Sequence, residues 1–168
     1  LDKYAISSSF ILCVSSLEER KNLLILIRAM VNIKKDIKLV IVGRGSKKYK
    51  SKILLLANKL NISSQISILE NVATADLAAI YQSATIFCFP SFYEGFGIPI
   101  LEAMSSRVPV VLSSASCFRE IAGEAGLYFA VDDAQQLSNQ LLELIENNRL
   151  KEKMLMHGED RIKEFSND

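Results

Sequence analysis

A chain of 168 residues, 49% apolar and 23% charged, with a net charge of +1, is large enough for one domain with a substantial core and short for two. That balance excludes a general nucleic-acid binder, which would carry a large basic surplus, and no apolar run approaches the roughly 20 residues of a membrane span. The charge is nevertheless uneven: residues 1–60 hold 13 Lys/Arg against 4 Asp/Glu, and residues 61–168 hold 7 against 15. Two solvated faces would account for the split, as would an anion held by the second part and neutralised by the first.

In chain order, "SFILCVS" (9–15) predicts a strand and "NLLILIRAMVNI" (22–33) a strongly apolar helix. "IKLVIVG" (37–43) is a second strand, followed by a helix from about Lys48 to Leu60. "QISILE" (65–70) precedes a helix over 74–84 with Thr74 as its cap. "TIFCFPS" (85–91), "VPVVLSS" (108–114) and "GLYFAV" (126–131) complete six strands, and two helices start near Ala134 and Arg149. Unbroken apolar strands alternating with helices imply a parallel sheet covered on both faces. With right-handed crossovers this is an α/β fold, a doubly wound Rossmann-like three-layer sandwich on a mostly parallel six-stranded sheet. Cys13, Cys88 and Cys117 are odd in number and widely spaced. They read as reduced thiols of a cytoplasmic protein, without a disulfide framework or metal site. His157, the single histidine, reads as a surface residue.

Ligands of such sheets bind beyond the carboxyl ends of the strands, here the loops "SLEERKN", "GRGS", "NVATAD", "SFYEGFGIP" and "SSASC". The fourth carries the strongest pattern. Gly95 and Gly97 permit a tight turn, Pro99 suits the first turn of a helix, and the amides of Ile98, Ile100 and Leu101 would face an anion at its positive end. Glu102, one turn in, can interact with the helix dipole or accept from two vicinal hydroxyls. Glu94, before the turn, can accept from hydroxyls on the other side of the same anion. No Lys or Arg occurs between Lys59 and Arg107. The charge of the bound anion must still be balanced: Arg20 and Lys21 after the first strand lie on the same rim, and they either fork onto that anion or are solvated surface. A cation at a helix start opposes the dipole, which a bound anion would offset. Gly43 and Gly45 in "VGRGS" lack the rest of a dinucleotide fingerprint.

Together these motifs resemble the C-terminal, donor-binding domain of the family 4 retaining glycosyltransferases, which have the GT-B fold. The resemblance runs from "FILCVSSLEERKN" through "LVIVGRGS", "ISILENV", "IFCFPSFYEGFGIPILEAM" and "VPVVLSS" to "EIAGEAGLYFAVDD", nearly the whole chain. It implies that Glu94 and the amides of Phe96 and Gly97 hold the hydroxyls of the transferred hexose. The backbone from Ile98 through Ile100 to Leu101 would contact the diphosphate. Glu102 would bind the ribose, and Lys21 with Arg20 would neutralise the diphosphate. The base would sit by Asn71 and Val72. It implies a nucleoside diphosphate sugar as partner, no bound metal or other cofactor, no nucleic acid, and no membrane contact by this domain, though the whole enzyme can be peripheral at a membrane. Ser15 and Ser16 replace a frequent Gly-Arg, Arg107 a usual Gly, and Arg119 a frequent Pro. An N-terminal acceptor-binding domain and a final crossing helix are not recognisable in the chain, so the expectation is one domain, residues 1–168, inactive alone. Phe92, Tyr93 and Phe96 then face either a core or the missing partner. Three other readings stand beside this one. A glycosidase pair conflicts with the anion-binding helix start. A GT-B sugar-nucleotide epimerase lacks identifiable acid/base residues. A non-catalytic nucleotide-binding module remains open.

Overall fold

The computed structural model describes residues 2–6, 9–115 and 117–166. Ser116, in the fifth rim loop, and residues 167 and 168 of the "FSND" end lie outside them. Among the described residues, β1 (Phe10–Val14), β2 (Lys38–Val42), β3 (Ile66–Leu69), β4 (Ile86–Phe89), β5 (Val110–Ser113) and β6 (Gly126–Phe129) form one sheet. Its order is β3-β2-β1-β4-β5-β6, and every neighbouring pair is parallel. The six expected strands are all present, and the sheet is wholly rather than mostly parallel.

Alternate strand residues face opposite sides of a sheet, and here both sides are buried. Ile11, Cys13, Leu39, Ile41 and Cys88 join one core under α1 (Leu23–Ala29), α2 (Lys47–Lys59) and α6 (Ala134–Glu146). Phe10, Leu12, Val40, Phe87 and Phe89 join the other, under α3 (Thr74–Ser83), α4 (Ile98–Ser105) and α5 (Phe118–Ala122). Each fully buried phenylalanine contributes about 1.5–3 kcal/mol of transfer free energy. The last helix, α7 (Asn148–Ser166), packs against both α4 and α6.

Local chemistry sets the helix ends. Ser46 caps α2 by accepting from the Tyr49 amide at 3.3 Å, and Asp133 caps α6 by accepting from the Gln136 amide at 2.8 Å. Removing that second cap with Asp133→Ala is expected to cost about 1 kcal/mol, read as a lower urea midpoint at unchanged slope. Two sequence expectations shift. The helix predicted over 22–33 ends at Ala29 and tightens into a 3-10 turn, Met30–Asn32. Ala73 rather than Thr74 holds the cap position of α3, with no side-chain bond, and Thr74 is already helical.

The three substitutions in the family pattern acquire physical readings. Arg107 has φ +57°, the left-handed conformation that costs glycine nothing, and its guanidinium pairs with Glu159 on α7. Arg119 stacks over the Tyr128 ring, 4.2 Å from its centroid. Ser15 continues the β1–β2 contact, its amide donating to Val42 O at 3.0 Å.

The Gly-x-Gly after β2 serves that same contact. Beyond the strands, Leu17 and Gly45 form a parallel bridge. A Cβ on Gly43 would lie 1.9 Å from Ser15 O, and one on Gly45 2.7 Å from Leu17 O. These glycines let two rim loops run side by side and form the floor of the cleft between them.

Candidate functional site

Strand order reverses between β1 and β4, since β1 runs on to β2 on one side while β4 lies on the other. Such a reversal opens a crevice beyond the carboxyl ends of the strands. A cleft of about 490 Å³ lies there, lined by Ser15, Ser16 and Lys21 after β1, Gly43 after β2, Phe89 at the end of β4, and Glu94 and residues 96–99 beyond it.

The counter-charge for Glu94 comes across this cleft. Lys21 Nζ lies 2.5 Å from Glu94 Oε1, and Arg20 Nη1 lies 3.2 Å from Glu94 Oε2. Lys21 is almost fully buried and also sits 5.5 Å from the Phe89 ring centroid. Arg20 Nε also binds Glu18 at 3.0 Å, and the Phe92 amide donates to Arg20 O at 2.9 Å, tying the two loops together. Partial burial raises the Glu94 pKa, but the hydrogen bonds from Lys21 and Arg20 and the Lys21 charge outweigh it, holding the carboxyl below its ordinary value. Beneath the pair, burial pushes the Cys13 thiol up to about 12, which makes it an inert packing group.

The loop after Glu94 ends as the sequence implied, with two corrections. Gly97 adopts φ +108°, ψ +45° at the cap of α4, and Pro99 occupies its first turn. The amides of Phe96, Gly97 and Ile98 make no hydrogen bond among the described residues. The Ile100 amide, expected to face an anion, instead donates to Gly97 O at 2.9 Å. Gly95 does not have positive φ, and a Cβ there would meet nothing within 4 Å, so the turn rests on Gly97 alone.

The other predicted residues lie in adjoining hollows. Asn71 and Val72 line a cavity of about 350 Å³ with Val42, Gly43, Arg44 and Leu77. Leu101 and Glu102 line a groove of about 400 Å³ with Thr74, Leu77 and Tyr81. Val42 and Gly43 are common to the first cavity and the cleft, and Leu77 to the cavity and the groove, so the three run in series. Glu102 therefore shares no hollow with Glu94. It accepts from the Tyr81 hydroxyl at 2.8 Å; burial first, then that carboxylate, raises the Tyr81 pKa and keeps it a donor.

Sequence reasoning missed three participants. Tyr81 sits in an otherwise unremarkable apolar helix. Arg44, between the two close-packed glycines, is exposed at the cavity rim and makes no ion pair among the described residues. Phe165 of α7 meets Phe96 edge-on, 6.1 Å between centroids. Phe92, Tyr93 and Phe96 are exposed and so not part of a core, and Phe96 lines the cleft. His157 of α7 is half-buried, its Nδ1 3.2 Å from Glu124 in the 3-10 turn Gly123–Ala125.

The model of the family described as Glycosyl transferases group 1 matches residues 5–161. The chain belongs to that family. This group 1 glycosyltransferase domain is 32% identical, over 99% of its length, to the O-antigen chain mannosyltransferase B of Escherichia coli, of which it covers 45%. The chain spans less than half the length of the curated relatives it matches. Its fold follows the C-terminal domain of a glycosyl transferase group 1 family protein (LpcC) from Francisella tularensis, with TM-score 0.85 and 23% identity, covering 96% of this chain and 88% of that one. A second solved structure, Anabaena Alr3699/HepE in complex with UDP and glucose, gives TM-score 0.86 and 21% identity, covering 94% of this chain and 44% of that one. The six-stranded parallel architecture is thus that of the C-terminal half of a GT-B glycosyltransferase, as the sequence motifs implied.

Proposed function

We propose that this group 1 glycosyltransferase domain binds a nucleoside diphosphate sugar and serves as the donor half of a retaining hexosyltransferase, the acceptor being held by a separate N-terminal domain. The observation that carries this reading is the run of three unpaired amides, Phe96 to Ile98, at the start of α4, opening on a cleft that also holds Lys21. Unpaired amides at a helix N-terminus attract an anion, and the aligned peptide dipoles add to that attraction. The diphosphate lies there, Lys21 and Arg20 turn part of their charge from Glu94 toward it, and Glu94 accepts from hydroxyls of the hexose. The nucleoside runs along the adjoining hollows, base at Asn71 and Val72, ribose toward Glu102. As the glycosidic bond breaks, charge grows on the leaving diphosphate, and fixed donors stabilise it without reorganising. The reading requires no metal: the side chains and the helix start supply the positive potential. The complex of the Anabaena neighbour with UDP and glucose and the mannosyltransferase relative support a nucleotide-linked hexose.

A thermal-shift panel of UDP, GDP, ADP and their hexose conjugates tests the reading. Ligand at ten times its Kd adds about 1.4 kcal/mol, a rise of roughly 3–5 °C for a domain of this size. One base is expected to raise the melting temperature and the others not. Glu102→Ala is expected to weaken the bare nucleotide by roughly tenfold through lost ribose hydrogen bonds. Glu94→Gln is expected to leave the nucleoside diphosphate bound and weaken only its sugar conjugate. Unaltered binding in both variants would remove the assigned roles.

A further inference from the structure

Helix α2 has an outer face that neither the core nor the cleft explains. Its thirteen residues include five lysines and no acid. Tyr49, Ile53 and Ala57, spaced four apart, form its buried stripe. On the remaining surface, Leu54 is 47% exposed and Leu55 69% exposed. Lys48, Lys52, Leu55 and Lys59 recur at helical spacing along one line, with Lys47, Ser51 and Leu54 on the next. Lys50 and Lys52 pair with Glu70 and Glu19. Lys47, Lys48 and Lys59 pair with no acid among the described residues. Lys47 and Lys48 also occupy the first turn, where their charge opposes the helix dipole.

We propose, against the sequence-based expectation of no membrane contact by this domain, that this face docks on an anionic lipid surface. The lysines lie against headgroup phosphates, and Leu54 and Leu55 enter the boundary with the acyl chains. Charge complementarity selects an anionic partner. The two exposed leucines distinguish a bilayer from a nucleic acid, because a phosphate backbone offers them nothing while acyl chains take them up. No helix among the described residues is long and apolar enough to cross a membrane, so the contact is one of surface only. It also gives a use to much of the basic surplus of residues 1–60. Because α2 starts just beyond Gly43 and Arg44, which line the cleft and its neighbouring cavity, docking brings the site close to the bilayer. The inference is independent of the donor-site reading.

Co-sedimentation of the chain with phosphatidylcholine vesicles, and with vesicles of equal parts phosphatidylcholine and phosphatidylglycerol, tests it. Binding is expected to the mixed vesicles only and to fade as salt rises. Replacing Lys47, Lys48 and Lys59 with Gln is expected to weaken it about fivefold per lysine. The double variant Leu54→Ser, Leu55→Ser is expected to weaken it about tenfold at unchanged charge. Both changes fall on exposed side chains, and urea midpoints close to that of the unaltered chain will show the fold is kept. Gln at Lys151 and Lys153 of α7 should leave binding unchanged. No binding to either vesicle, equal binding to both, a leucine variant that binds as well as the original, or an equal loss from the α7 change would each overturn the proposal.

Discussion

Gly43→Ala is expected to destabilise the domain by about 3 kcal/mol or more and to abolish whatever ligand binding the cleft supports. Two effects add. The φ of Gly43 is +151°, which an alanine adopts only under strain, and the new methyl would stand 1.9 Å from Ser15 O. That oxygen belongs to backbone, in a loop held by the Ser15 amide's bond to Val42 O, so it cannot swing aside as a side chain would. The two rim loops must separate, and the floor of the cleft separates with them. Gly95→Ala is the internal comparison. Nothing lies within 4 Å of its added Cβ, so its change should stay within about 0.5 kcal/mol. Urea titration of both variants reads the difference, and equal midpoints would show that the Gly-x-Gly is not a packing device.

The second large effect follows from Lys21→Met. It keeps most of the length of a side chain that is almost fully buried and removes the charge facing Glu94, whose side chain is only 12% exposed. Breaking a buried pair leaves a desolvated charge, with a cost of about 3 kcal/mol, here at the low end because Arg20 still reaches Glu94. In the unaltered protein the Glu94 pKa is depressed, so its contribution is present above the unfolded carboxyl value of about 4.3 and is lost as pH falls through the folded value. In the variant, burial, already the largest single influence on this carboxyl, loses its main opposition and raises that pKa, so acidification relieves the cost. The stability gap should be widest near neutral pH and close below about pH 4. Adding Glu94→Gln to Lys21→Met should recover most of the loss, because no charge then remains buried. A double variant no more stable than the single one would mean that Lys21 acts through packing alone.

All six strands and the layered fold were legible because a parallel sheet buries both faces and its strands read as unbroken apolar runs. Helix ends were less so: the cap at Ala73 has no side-chain signature, and α1 passes into a 3-10 turn after Ala29 without a Gly or Pro to mark it. Within the site, the juxtaposition of Lys21 with Glu94 was partly readable, since topology puts both loops on one rim. What could not be read was that they meet each other. Sequence spacing placed Lys21 near an anion and Glu94 near hydroxyls, and only the folded geometry shows the two neutralising one another at 2.5 Å. The Gly-x-Gly looked like an incomplete nucleotide fingerprint. Its role in loop contact involves Ser15 and Leu17, residues far away in the chain, which no local pattern reports. Tyr81 under Glu102 was hidden for the same reason.

The position of β1 in the sheet also bears on how the chain comes to be folded. It is made first among the strands, yet one of its edges stays open until β4 arrives, with Ile11 opposite Ile86. Through β3 a growing chain can cover one sheet face with α1 and α2, while Phe10, Leu12 and Val40 on the other still lack Phe87, Phe89 and Phe118. Closing that long connection sets the pace of folding. In the interval the uncovered face is a sticky surface open to other chains or to chaperones. Residues 70–118 therefore mark the hazardous stretch of synthesis, and pausing of the ribosome there would expose the chain to aggregation more than pausing anywhere later.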